Sequence, residues 1–179
     1  MKKTVFIFGL ISGFIAAAVT VISMAFCYNN PDFGGSMLLG YASMLIAFSL
    51  IFVAVKNLRD KQGNGVISFG KAFRTGLVIT FIASSMYVLA WLIEYYCFMP
   101  EFMDRYTDHT LRQAQKSGAD AATLAAKAAE MAKYKEMYKN PIFVILFTYA
   151  EIFPVGVVVS LICALILKRK PKQPATALS

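Results

Sequence analysis

The chain has 179 residues, of which 58% are hydrophobic and only 16% charged, with a formal net charge of +8. A composition this apolar excludes an ordinary soluble domain, and the absence of a Ser/Gly/Pro-rich linker argues for a single domain. The net charge would admit a nucleic-acid partner if it formed a basic domain, but the bases instead gather beside four long apolar stretches, so no nucleic acid is expected.

The first stretch, Thr4 to Tyr28, contains 25 residues without a charge. A hydrocarbon core of about 30 Å needs about 20 helical residues at about 1.5 Å each, so a span over 4–28 is predicted. Lys2 and Lys3 also begin the way a signal peptide does. The apolar run is nevertheless longer than the roughly 7–15 residues of a signal core and ends in Ala25-Phe26-Cys27-Tyr28, without small residues at both cleavage positions, so retention is expected. Asn29, Asn30, Pro31 and Asp32, followed by Gly34 and Gly35, predict a tight turn joining spans one and two into a close helical hairpin. The second span is predicted over 34–56. Next come the Gly63-Asn64-Gly65 turn and Ser68, an N-cap for the helix that carries the third span over 72–99.

The loop from Pro100 to Pro141 has 42 residues, too many for a featureless connection in a compact domain. Two helices are predicted within it. One runs from about Pro100, at its first position, to Lys116, with Phe102, Met103, Tyr106 and Thr110 along one stripe. Gly118 ends it, and Asp120 caps a second helix, Ala121 to Tyr138, with Leu124, Ala128, Met131 and Tyr138 as a thin apolar stripe. Thin stripes predict that these helices pack on each other, on the membrane surface or on a partner. The fourth span is predicted over 141–167, followed by a basic tail, 168–179.

The charges order the spans across the membrane. Lys2, Lys3, the 56–74 segment and the 168–172 segment together hold eleven bases against one acid; Asp32 and the 100–141 loop hold seven bases and seven acids in all. By the positive-inside rule both termini and the connection between spans two and three are cytoplasmic, and the helical loop lies outside. The expected fold is therefore all-α, an integral membrane four-helix bundle with an extracytoplasmic helical hairpin between spans three and four. Its surroundings are the lipid bilayer of a bacterial inner membrane.

Small residues recur four apart within the spans: Gly9, Gly13 and Ala17; Gly76, Thr80 and Ser84; Gly156, Ser160 and Ala164. Such seams let helix backbones approach in lipid, either within one bundle or in a homo-oligomer or complex with another membrane protein. Cys27 and Cys97 fall near the same end of spans one and three, where a bridge would form if their geometry allowed it; burial as small apolar residues is the simpler expectation.

No catalytic, cofactor or metal signature is present. His109 stands apart from any cluster at ligand spacing and reads as a surface residue; the glycines near 63–70 lack the ending that cradles phosphates. An enzyme is not expected. The two ionisable residues inside spans, Glu94 and Glu151, are the candidates for function. Glu94 lies near the outer end of span three, where snorkelling or Arg105 can serve it. Glu151 is ten residues past Pro141, roughly 15 Å deep, with no cation at its level. It is expected to be neutral, hydrated in a cavity, or bound to something positive. Pro154 cannot donate to the carbonyl of Ala150, which leaves an acceptor in the same turn for a neutral carboxyl.

The segment GNGVISFGKAFRTGL, the apolar span after it and Pro100-Glu101-Phe102 at the start of a helical loop resemble a family of small bacterial membrane proteins known as domain of unknown function number 4199. The likeness runs from about Thr4 to Leu167. It implies a four-helix membrane protein and carries over no catalytic residues. Two functional classes follow: a non-enzymatic membrane component acting by helix association and partner binding through the outer loop, or a small proton- or solute-coupled transporter or channel subunit using Glu151 and Glu94.

Overall fold

The structure, a computed structural model, describes residues 2–29 and 37–169. The predicted turn at Asn30–Gly35 and most of the basic tail lie outside the described residues. The elements are α1 (Lys2–Asn29), α2 (Met37–Gln62), α3 (Phe69–Ile93) prolonged by a π-helical turn (Glu94–Phe98), α4 (Phe102–Lys116), α5 (Ala121–Tyr138) and α6 (Pro141–Leu167). Among the described residues, four segments are long and apolar enough to cross a bilayer: Lys3–Tyr28, Gly40–Gln62, Phe69–Phe98 and Pro141–Leu167. The fold is an all-α membrane bundle. Its only β pairing among the described residues is an isolated bridge, in which the Arg169 amide donates to the Ile67 carbonyl at 2.9 Å and ties the end of α6 to the α2–α3 connection.

Local chemistry accounts for the ends of these helices. Asn64 and Gly65 take positive φ in the α2–α3 turn, at 48° and 82°. Ser68 then accepts from the Lys71 amide at 3.4 Å to start α3. Asp120 caps α5 by accepting from the Thr123 amide at 2.8 Å, and the Thr123 side chain together with that amide holds its carboxyl below the usual range. Asn140 caps α6 through the Ile142 amide at 3.0 Å, with Pro141 at the first helical position, where its missing N–H costs nothing. Two boundaries differ from expectation. The fourth helix starts at Phe102 rather than Pro100, and α2 continues past residue 56 to Gln62, lifting Lys56, Arg59 and Lys61 on a helical stalk.

The bundle is built around α3, which packs most extensively on α6 and α1, with α2 filling the remaining side against α6 and α1. Contact between α1 and α2, expected to be the close hairpin, is smaller than that between α1 and α3. The reason is steric. A methyl group on Gly13 would meet the Met86 side chain at 2.6 Å and the Ala83 backbone at 3.1 Å, so the smooth face of α1 is spent on α3. The α3–α6 contact is closer still. Gly76 faces Ser160, and Gly156 faces Thr80 with Phe48 of α2 behind it. Each step of four forward on α3 is a step of four back on α6, the register of an antiparallel pair. Ser160 donates to the Gly156 carbonyl at 2.7 Å, which leaves Thr80 to donate to Ser160 across the seam at 3.2 Å.

Hydroxyls are buried at the helix contacts while many large apolar side chains face outward. Ser12, Thr80, Ser84 and Ser160 are fully buried, whereas Phe14, Phe26, Ile46, Leu146 and Ile166 are each more than half exposed. Lipid solvates apolar side chains as well as the core does, so the close approach that small residues allow, joined by the Thr80–Ser160 hydroxyl pair, selects the inner faces.

Candidate functional site

Helices α4 and α5 fold back over one end of the bundle. Their junction with it is aromatic: the Trp91 and Phe102 rings meet edge to face at 5.0 Å, Tyr95 packs edge-on against both Phe102 and Tyr138, and Tyr138 stacks on Phe147 at 6.0 Å. Arg105 fastens the other side. Its guanidinium donates to the Tyr28 carbonyl at the end of α1 at 2.7 Å and lies 4.2 Å over the Tyr28 ring. Lys135 of α5 pairs with Asp104 of α4 within the hairpin.

Between the hairpin and the bundle lies a partly open cavity of about 540 Å³. Each wall is one helical face. Tyr87 and Trp91 come from α3, and Phe147, Thr148 and Glu151 from α6. The predicted stripe of α4, Phe102, Met103, Tyr106 and Thr110, supplies the third wall intact. On α5 the inward face differs from expectation: it is Lys127, Glu130, Met131, Tyr134 and Tyr138, while Ala128 is exposed. A lysine stem and a tyrosine ring cover apolar surface better than an alanine methyl, which rotates the helix toward them. Burial pushes the Tyr138 hydroxyl up to about 12, so it remains a neutral donor at any physiological pH.

Glu151 opens into this cavity and is exposed there. Its carboxyl makes no hydrogen bond or ion pair with any described residue; the Tyr87 and Tyr138 hydroxyls are within its electrostatic reach. The arrangement expected for a neutral carboxyl, a bond to the carbonyl freed by Pro154 or to a nearby hydroxyl, is not formed. Helix α6 runs unbroken through Pro154, whose ring is exposed on its surface. Tyr149, a hydroxyl neighbour in sequence, is engaged elsewhere: it lies 2.6 Å from Ser85, whose own proton goes to the Phe81 carbonyl.

Glu94 occupies a separate place. It begins the π-helical turn, where the Met99 amide reaches back to its carbonyl at 2.9 Å, and its side chain is only 6% exposed. Arg105, the expected companion, is committed to Tyr28 and lies 3.8 Å from Glu101 instead. The Glu94 Oε2 atom is buried without a hydrogen bond among the described residues, at the edge of a second, mostly apolar cavity beside Tyr28 and Met99. Glu94 and Glu151 are therefore not brought together into one site.

The helix-packing glycines Gly9, Gly13, Gly76 and Gly156 all face partners within this chain. Cys27, Cys97 and Cys163 are free thiols, with Cys97 exposed and Cys163 buried. His109 is half-buried on α4. Among the described residues no three His, Cys, Asp or Glu side chains gather to hold a metal ion. The cavity aromatics Tyr87, Tyr134 and Phe147 did not stand out in the sequence. The available signal was density: aromatic residues crowd 87–106 and again 134–149, the two segments that meet here.

No curated protein and no solved structure matches the chain. The sequence profile of one family does match, over residues 7–169, which takes in most of α1, the other three apolar helices, the hairpin, and Glu94 and Glu151. The chain accordingly belongs to the family described as Protein of unknown function (DUF4199), and the match extends well beyond the GNGVISFGKAFRTGL segment, over residues 7–169.

Proposed function

We propose that the protein is a non-enzymatic, multi-pass component of a bacterial cytoplasmic membrane that binds an apolar ligand in the cavity roofed by α4 and α5. The observation that carries this reading is the cavity itself. Its volume of about 540 Å³ falls within the usual range for small-molecule sites, and five helices, counting Met24 of α1, give it aromatic rings and thioethers interspersed with tyrosine and threonine hydroxyls and three charged side chains. Two features weigh against the other readings. The apolar stripe of α4 is turned inward, and the hairpin exposes Asp108, Arg112, Lys133 and Glu136, which favours a ligand beneath it over a protein partner on its outside. Phe48, Ile51, Ile79 and Ile152 fill the bundle centre without exposure, so a single copy offers no path for a transported solute.

Trp91 is the only tryptophan and stands in the cavity wall, so occupancy has an intrinsic reporter. With the protein in lipid nanodiscs, a neutral bromoaromatic such as 1-bromo-4-neopentylbenzene should quench Trp91 saturably. Replacing Thr110 by Phe, which fills the cavity from α4, should weaken that quenching about tenfold or more. Quenching that rises linearly with bilayer concentration and is the same in both proteins would show partitioning into lipid only and overturn the reading.

The orientation has its own support in the eleven-to-one excess of bases at the end that carries the termini and the α2–α3 connection. The bacterial placement rests on the family resemblance. A cysteine introduced at Ser117, exposed between α4 and α5, should react with a membrane-impermeant maleimide in intact cells. Labelling only after lysis would reverse the orientation.

A further inference from the structure

We infer that the ligand of this cavity is a hydrophobic organic ammonium ion, held by the Glu151 carboxylate as counter-charge with the rings of Tyr87 and Tyr138 beside it. The inference rests on the cavity-binding reading and adds the ligand's charge. Three charged side chains face the cavity. Lys127 and Glu130, of opposite sign and three residues apart on α5, offset one another; Glu151 on α6 remains. None of the three forms an ion pair with a described residue.

An anionic ligand would meet the Glu151 charge in a medium that screens it poorly, and a neutral one would take its water away without replacing it. A cation does neither. Aromatic faces also attract cations through their quadrupole while remaining compatible with an apolar body, and quaternary ammonium groups are the ligands that such walls accept best. Tyr87 of α3 and Tyr138 of α5 line the cavity together with Glu151 from two different helices, and Thr148 lies on the same face of α6 one turn before it. Glu151 lies roughly 15 Å along α6 from its first residue, and Lys127 and Glu130 of α5 line the cavity at the same level. The cavity is partly open, so the ligand is a free amphiphile whose charged end is led in by the apolar and aromatic wall.

The test compares two probes of one shape against Trp91 in nanodiscs: 4-bromobenzyltrimethylammonium and its neutral carbon isostere, 1-bromo-4-neopentylbenzene, each referred to its measured bilayer concentration. The inference expects the cation to bind wild-type protein about tenfold or more tightly than the isostere, and Glu151→Gln to bring the two within about twofold. Equal saturable binding of both by the wild type overturns the cationic ligand and leaves the cavity reading standing. Absence of saturable quenching by either overturns both. A cation preference that persists in Glu151→Gln also overturns the inference, because another group then supplies the charge. The wild-type ratio requires no variant, so it decides the question even if Glu151→Gln fails to fold.

Discussion

Replacing Gly156 by Ala is expected to destabilise the bundle by about 1–3 kcal/mol, and Val at the same place by more. The added methyl would lie 2.3 Å from Thr80 Cγ2 and 2.9 Å from Phe48 Cζ, distances no real Cβ adopts, so a neighbour must move. Neither neighbour can do so cheaply. Thr80 is β-branched on a helix, is fully buried and donates to Ser160; Phe48 is fully buried at the centre of α2. Separating α3 from α6 instead would break the hydroxyl bridge and loosen the largest helix contact in the protein. The appropriate control is Gly40→Ala. Nothing lies within 4 Å of a methyl at that position in α2, and the helix should gain up to about 1 kcal/mol from the lost backbone freedom. Thermal or denaturant unfolding in one detergent should therefore move the two variants in opposite directions. Equal behaviour would mean that the close approach of α3 and α6 does not govern stability.

Phe102→Ala is expected to unseat the hairpin while leaving the four long helices folded. Phe102 is 9% exposed, and its ring contacts Trp91, Tyr95 and Tyr106, so it joins α4 to the bundle and to the cavity wall at once. Truncating a buried phenylalanine costs about 3–5 kcal/mol, which raises the population of an undocked hairpin by about two orders of magnitude or more. Limited trypsinolysis reads this directly. Cleavage at Lys116, Lys127 and Lys133 should accelerate about a hundredfold, the Trp91 emission should shift to the red, and melting of the long helices should change little. Unchanged cleavage would show that Arg105 on Tyr28 and the Tyr138–Phe147 stack hold the hairpin without Phe102.

Much of the architecture was readable before any coordinates. Length and apolar composition define four spans because a bilayer demands about 20 helical residues whatever their order. The caps at Ser68 and Asp120 and the breaks at Gly65 and Gly118 are local chemistry, decided within a few residues of where they act. The stripe of α4 was legible for the same reason: a polar helix with one apolar face has only one way to turn.

The small-residue seams marked a packing face on α1, α3 and α6, but the partner that each seam meets was not legible. Helices α1, α3 and α6 are apolar all round, so hydrophobic periodicity carries no direction; only the docked partners show that Gly156 faces Thr80 and that Gly13 faces α3 rather than α2. The π-helical turn at Glu94, the commitment of Arg105 to Tyr28 and the rotation of α5 onto Lys127 and Tyr134 likewise depend on contacts between residues far apart in the chain. The sequence by itself determined that Glu151 lies well inside an apolar helix, because position along one helix follows from counting residues; the expectation of no cation at its level did not hold, since the fold-back of α5 brings Lys127 into the same cavity. Only the tertiary structure decided what Glu151 faces. A cavity is the space left between elements, and the walls here come from segments as distant as Tyr87, Phe102, Tyr134 and Phe147, whose meeting is a consequence of packing that no local pattern encodes.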